Sequence, residues 1–302
     1  MATQQEGAEL VTAARVTRAL PVRVWKVVAG FFVRKPLGAV GASIICLMIL
    51  VALLAPVVTY VGPNVMSFAN VLEAPSAAYW LGTDDFGRDL WSRIVYGARI
   101  SLYVGVMSVI FGNFGGAAIG VISAFYGGKV DAFLQRIMDA LMCIPTLVLA
   151  LAIMSALGQS LNNVVLAIGV TQIPRANRIV RSAALSVKEA EYVLAARSIG
   201  AKDVRIMLQH VMPQCVAPWL IIATAALGTA IVTEASLSFL GLGVPPPAPS
   251  WGGMLAGRAR QYYAVAPWLA IWPGLAISLA VYGFNLFGDA IRDVLDPRLR
   301  GT

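Results

Sequence analysis

The sequence predicts an all-α polytopic membrane protein with six transmembrane helices and both termini cytoplasmic. Three observations lead there. First, 59% of the 302 residues are hydrophobic and only 13% charged, at mean hydropathy +0.77. A soluble domain carries roughly 25% charge, so too little polar material is left to coat a water-facing surface and a bilayer must act as solvent. Second, apolar segments recur along the whole chain, most of them near the roughly 20 residues a helix needs to cross about 30 Å of hydrocarbon. Third, Lys and Arg gather in alternate connections.

The first segment, about Leu37 to Val61, contains no charge. The second runs from about Ile100 to Tyr126. The third, about Ile137 to Leu157, holds Asp139 near its start, where an i,i+3 pair with Arg136 is expected. The fourth begins near Asn163 and runs past Ile173; its charge-free part stops at Pro174-Arg175, so Arg175 and Arg178 are expected to snorkel at the membrane edge. The fifth runs from about Val216 to Leu240 with Glu234 near its end, and the sixth lies within Pro267 to Phe287. Gly112, Gly116 and Gly120, spaced by four, put one glycine face on the second helix. That face lets another backbone approach closely, either within the chain or from another subunit.

With the N-terminus inside, 18 of the 23 Lys and Arg residues fall on the cytoplasmic side; Arg88, Arg93, Arg99, Arg258 and Arg260 lie outside. The chain therefore divides into a cytoplasmic segment 1–36 and a membrane domain 37–302, with a cytoplasmic loop at about 175–214 and outer segments at about 62–99 and 243–266. Within the first part, Leu20 to Lys35 mixes Trp25, Phe31 and Phe32 with Arg23, Lys26, Arg34 and Lys35, the pattern of an amphipathic helix on the inner leaflet. A removable signal would begin with a short basic stretch, whereas the first long apolar run begins near Leu37 and is expected to be a retained helix.

The formal net charge is +8. In this setting basic residues mark cytoplasmic loops and meet anionic lipid; no nucleic-acid partner is expected. Cys46, Cys143 and Cys215 show neither metal-ligand nor disulfide spacing and are expected to pack.

Catalytic and metal constellations are not visible. Gly127-Gly128-Lys129-Val130 is the nearest approach to a phosphate loop and lacks its first glycine and its hydroxyl. His210 is the only histidine and has no Cys or His companion. Asp84, Asp85 and Asp89 cluster in the first outer segment, but Gly82-Thr83-Asp84 and Gly87-Arg88-Asp89 fit turns and helix caps tied by Asp–Arg pairs better than a metal site. Ion-coupled transporters rely on charges deep in the bilayer. Asp139 and Glu234 both lie toward segment ends, so the chain is poorly equipped for that chemistry.

The stretch from Arg175 to Gln214 is unusual for its charge and its helix formers. Ser186-Val187-Lys188-Glu189 fits a capping box with Ser186 as N-cap. A helix then runs from Glu191 to Ile199, Gly200 is placed to end it with φ > 0, and a second helix, about Ala201 to Val211, is closed by Pro213. Two short helices joined by a glycine form either a docking surface or an ordinary loop.

These residues resemble a known family. Glu191 to Gly200, followed after nine residues by His210-Val211-Met212-Pro213, is similar to the "EAA" loop of ABC importer permeases: Glu-Ala-Ala, three residues, Gly, nine residues, Ile-x-Leu-Pro. Ala195, Ala196, Gly200 and Pro213 match in register, while Leu194 replaces the Glu and His210 and Met212 replace the Ile and Leu. Leu81 to Asp89 with Ser92-Arg93 and Tyr96 to Arg99 resembles the outer segment of the C-type permease of dipeptide, oligopeptide and nickel importers. So do Glu234 to Gly243 followed by prolines and Trp251-Gly252, and Phe284 to Asp289 with Arg292-Asp293 and Asp296-Pro297-Arg298. The resemblance covers about Pro36 to the end.

It implies a six-helix subunit of the type I ABC importer fold. Such a subunit pairs with a second, different permease, and the two form the translocation path at their interface. Two ATP-binding subunits, or one two-domain ATPase, dock below, and an extracytoplasmic substrate-binding protein delivers cargo from above. ATP and Mg would belong to the ATPase partners, with no cofactor and no enzymatic activity in this chain. The ATPase contact would involve Glu191, Ala195, Ala196, Arg197, Gly200, Ala201 and Pro213. Leu194 in place of Glu puts one ion pair in doubt. Asp84, Arg88, Asp89, Arg93, Arg99, Glu234 and Trp251 would form an outer gate or binding-protein contact, together with the non-helical Val244 to Pro249 and the aromatics Tyr262, Tyr263 and Trp268. Peptide is the expected cargo. Two other readings remain: an ion-coupled secondary transporter or channel subunit, told apart by transport without ATP, and a membrane enzyme built on the Asp84 region, told apart by hydrolytic activity of the isolated chain.

Overall fold

A computed structural model describes residues 35–295 of the chain. The amphipathic segment before Lys35 and the Asp296-Pro297-Arg298 motif lie outside the described residues. Among those described, all regular structure is helical apart from an isolated antiparallel bridge between Thr83 and Asp89. The longer helices are α1 (Pro36–Leu53), α2 (Leu90–Tyr126), α3 (Gly128–Met142), α4 (Thr146–Leu157), α5 (Leu161–Lys188), α6 (Glu191–Ser198), α7 (Val216–Phe239) and α8 (Trp268–Leu295).

Four stretches are long and apolar enough to cross a membrane: α1, α2, the run Asp203–Phe239 that contains α7, and α8. The α3–α4 pair adds a fifth if it counts as one span. The third apolar segment is therefore not one straight helix. It breaks at Cys143–Pro145 and turns by 94°, because Pro145 removes a donor and forces its predecessor out of the helical region.

The fourth segment differs most from expectation. Helix α5 does not stop at Pro174; it carries this proline inside and continues to Lys188. Pro174 is buried, and α5 packs along α2 more extensively than any other two helices pack. That packing stabilises the helix past its missing hydrogen bond. The helix bears Asn162, Asn163, Gln172, Arg175, Asn177, Arg178 and Arg181, too polar to qualify as a span by composition. Ser186 consequently lies in the last turn of α5 rather than at an N-cap; Glu189 caps the end of α5, and α6 begins after Ala190. Pro213 does not close the following helix either. Asp203–Ile206 passes through a π-helical turn (Met207–Val211) and a 3-10 turn (Met212–Cys215) directly into α7. Pro213 supplies no N–H, and the changed register absorbs the missing bond.

Smaller shifts have local causes. Helix α1 ends at Leu53, before Pro56, and a short turn, Ala55–Val58, follows. Helix α2 starts ten residues before the apolar run, at Leu90, because Asp89 caps it by accepting a hydrogen bond from Ser92 N at 2.9 Å. Helix α8 extends past Phe287 to Leu295. Asp139 pairs not with Arg136 but across to Arg178, Nη2 to Oδ1 2.9 Å.

Three apolar clusters hold the bundle together. One joins α1, α2, α7 and α8 through Ile45, Leu102, Ile231 and Phe284. Another joins α2, α4, α5 and α7 through Val104, Met154, Ile168 and Leu237. The third lies at the Gly200 end and docks Val193 and Ala196 of α6 against Val121 of α2 and Val180 of α5. The segments around Asp84 and Trp251 cover the opposite end.

Candidate functional site

At the Gly200 end, α6 closes with a Schellman turn. Gly200 has φ +84°, its N–H donates to Arg197 O at 3.0 Å, and Ala201 N donates to Ala196 O at 3.1 Å. A side chain at Gly200 would meet no atom within 4 Å, so backbone conformation is what selects glycine there. Val193 and Ala196 face the core, while Tyr192, Leu194, Ala195 and Ile199 are exposed; Ile199 is 86% exposed. Glu191 and Arg197 are also exposed, and Arg197 reaches Asp203 only at 3.9 Å. Pro213 lies in the 3-10 turn just before α7. The residues expected to meet an ATPase thus fall on two short elements at one end, with Leu194, Ala195 and Ile199 exposed beside Glu191 and Arg197.

The glycine face of α2 is an internal contact. A side chain at Gly116 would stand 2.7 Å from Ala176 Cβ and 2.9 Å from Asn177 N, and one at Gly120 would stand 2.7 Å from Asn177 O; Gly112 meets the Gly169 carbonyl in the same way. All three neighbours belong to α5. The sequence left open whether the partner was this chain or another, and the structure assigns it to this chain.

At the opposite end Asp84, Asp89, Arg93, Glu234 and Trp251 are buried. Asp84 Oδ1 accepts from Arg88 N at 3.0 Å, and Asp84 Oδ2 lies 2.7 Å from Arg88 Nε and 3.4 Å from Arg93 Nε. Arg93 also donates to Pro63 O at 3.0 Å. Burial, and then the Asp84 charge, push the Asp85 carboxyl above its ordinary range, with Arg88 opposing. Arg99 is exposed, but its guanidinium donates to the terminal carbonyls of α1, Ala52 O and, at 2.9 Å, Leu53 O; it serves as a C-cap. Trp251 donates to Ile94 O at 3.0 Å and lies against Gly97. Glu234 accepts from Ser238 Oγ at 2.8 Å and from Ser101 Oγ at 3.3 Å. Among the described residues, no group of three or more His, Cys, Asp or Glu could hold a metal.

Between the two ends a cleft of about 600 Å³ opens among α2, α3, α4, α5, α7 and α8. Its polar lining comes from Asn113, Thr146, Thr171, Gln172, Arg175, Thr229, Thr233 and Asn285. Sequence reading missed it, because its residues come from distant helices and none belongs to a local motif.

Comparison with known proteins decides what this architecture is. The family described as "Binding-protein-dependent transport system inner membrane component" matches residues 116–301. The chain belongs to that family. Its members are permease subunits of ABC transporters, whose ATPases are separate subunits. The permease is 43% identical over 267 residues to the dipeptide transport system permease protein DppC of Alkalihalophilus pseudofirmus, covering 88% of each chain. It is 40% identical over 270 residues to the glutathione transport system permease protein GsiD of Pectobacterium atrosepticum, covering 89% of each. Among solved structures, an inward-facing MetNI methionine ABC transporter chain superposes with TM-score 0.56 at 19% identity, over 68% of this permease and 98% of that chain, which establishes a shared fold. With several apolar helices and this membership, the permease is a multi-pass protein of the inner membrane.

Proposed function

We propose that this permease is one of two different membrane subunits of an ATP-driven importer of di- and oligopeptides. The cargo reading rests on the dipeptide and glutathione relatives, each matched over nearly nine-tenths of both chains. In this reading the chain crosses the membrane six times, with the bent α3–α4 pair and the polar α5 as the third and fourth crossings and both termini cytoplasmic. The positive-inside count supports this orientation.

Coupling to the ATPases, whether two subunits or one two-domain protein, is carried by α6. The supporting observation is the exposed apolar pair Ala195 and Ile199, with Leu194 beside it, on a helix pinned from behind by Val193 and Ala196. Such a rigid, outward apolar patch fits a groove on a partner. An extracytoplasmic binding protein meets the other end. Because Asp84, Arg93 and Trp251 are buried, the contact falls to exposed groups of the same end, such as Phe68 and Trp80. Ion coupling is not favoured, since Asp139 and Glu234 are engaged with Arg178 and with serines.

The test is reconstitution with the binding protein, the second permease and the ATPases in vesicles. Peptide accumulation should require ATP and survive collapse of ion gradients. Accumulation driven by an ion gradient without ATP would exclude the reading.

A further inference from the structure

We infer that the cleft among α2, α3, α4, α5, α7 and α8 is one wall of the aqueous path and that it reads the cargo's peptide main chain, not its side chains. This inference rests on the function proposed above and adds the recognising groups. The cleft holds uncharged amides and hydroxyls: Asn113, Thr146, Thr171, Gln172, Thr229, Thr233 and Asn285. Facing lipid, such groups would be costly, so a band of them at membrane depth lines water or a polar partner.

The hydrogen bonding inside the cleft indicates what it offers. Thr171, Thr229 and Thr233 donate their hydroxyl protons to Ile168 O, Ala226 O and Thr229 O at 2.7, 2.9 and 2.8 Å. Their oxygen lone pairs are left as acceptors. Asn113 Nδ2 donates to Gln172 Oε1 at 2.9 Å, which fixes the Gln172 amide and leaves its nitrogen as a donor. The wall therefore presents both acceptors and donors, as a peptide bond does. A volume near 600 Å³ is in the range of small-ligand sites.

Among the described residues Arg175 supplies the only formal charge in the lining, which contains no carboxylate. At the Asp84 end, by contrast, Arg88 and Arg93 are already matched by Asp84. A planar guanidinium without a fixed partner suits a free carboxylate. The chain terminus is the one charge that every unmodified peptide shares, so a path built in this way accepts many sequences.

The experiment uses the assembled importer with Cys46, Cys143 and Cys215 replaced by alanine. Thr229→Cys, Thr233→Cys and Asn285→Cys are labelled with a charged, membrane-impermeant methanethiosulfonate during ATP turnover, and Leu279→Cys on the exposed side of α8 serves as the lipid control. The cleft positions should label and the control should not. Uptake is then measured for tripeptides with alanine, glutamate or lysine in the centre. Thr233→Val and Gln172→Leu should slow all three by a common factor, roughly fivefold per lost hydrogen bond. Arg175→Gln should slow free-carboxylate peptides likewise.

Cleft cysteines that react only with lipid-soluble reagents, or cross-link to the second permease throughout the cycle, would overturn the inference. A changed rank order among the three peptides would do so too. Normal wild-type peptide uptake with unaffected cleft variants overturns this inference alone, whereas a wild-type importer that carries no peptide overturns the proposed function and the peptide part of this inference with it.

Discussion

Arg181 and Asp131 form a forked ion pair that fastens α5 to α3, with Nε 2.7 Å from Oδ1 and Nη2 2.5 Å from Oδ2. Ser123 of α2 donates to the same carboxylate; Gln135 Nε2 donates to Ser123 Oγ at 2.8 Å, and Asn177 Nδ2 donates to Gln135 Oε1 at 3.0 Å. Three helices thus share one chain of polar side chains near the base of α6. Removing either ionic partner leaves the other partly buried charge unmatched. Arg181→Ala and Asp131→Ala should each cost about 2 kcal/mol, and the double variant should cost less than the sum of the two. Thermal unfolding of the purified importer would check this; strictly additive losses would mean that the pair is not coupled.

The glycine face gives a comparison within one helix. Gly116→Ala would force a methyl to 2.7 Å from Ala176 Cβ, whereas at the neighbouring Gly115 it would find Ile173 at an ordinary 3.8 Å. Overpacking of this kind costs about 1–3 kcal/mol, so Gly116→Ala should lower the melting temperature and the membrane abundance while Gly115→Ala leaves both near wild type. Equal behaviour of the two variants would contradict the α2–α5 contact.

Gly200 should be a coupling position. Its φ of +84° costs on the order of 1 kcal/mol for a side-chain-bearing residue, and open space around it means no clash inside the chain. Gly200→Asp should therefore insert normally in the membrane yet weaken ATPase co-purification and abolish uptake. Ala195→Asp, on the exposed face, should act similarly, and Lys202→Ala should be mild. Normal uptake by Gly200→Asp at wild-type abundance would refute the assignment.

What the sequence could and could not reveal follows from the range of each interaction. Gly200 was legible because a left-handed residue after a helix is a local requirement. The glycine spacing of α2 was legible as a face, but its partner was not, since Gly116 meets residues some sixty positions away. Ser186 and Pro174 carried local signals for a helix start and a helix stop, and both were overruled by burial of Val180 and Ala184 along α5. Asp84 was legible as a turn residue tied to a neighbouring Arg, whereas Arg93 and Trp251 carried no local signal for the groups they bond. In the structure their partners, Arg88, Pro63 O and Ile94 O, lie within the chain. The cleft had no signal at all, because threonines and amides on five helices converge only once the bundle has formed.

Glu234 offers the most discriminating test at the far end. It is fully buried, and its two oxygens accept from Ser101 of α2 and Ser238 of its own helix. Ser238 Oγ in turn accepts from Val244 N at 3.4 Å, at the start of the proline-rich segment. The carboxylate thus ties α7 to α2 and, through Ser238, to the loop that leads toward Trp251. A glutamine keeps one acceptor and the same shape, and both serines can turn to accept from its amide. Alanine leaves two buried hydroxyls without their acceptor and opens a cavity, at about 1–3 kcal/mol for each unsatisfied group. Glu234→Ala should therefore expose the 240–257 segment to limited proteolysis and lower the abundance of the assembled importer, while Glu234→Gln should stay close to wild type in both. If Glu234→Gln is as damaging as Glu234→Ala, the negative charge itself is required, and a purely positional role for this residue is wrong.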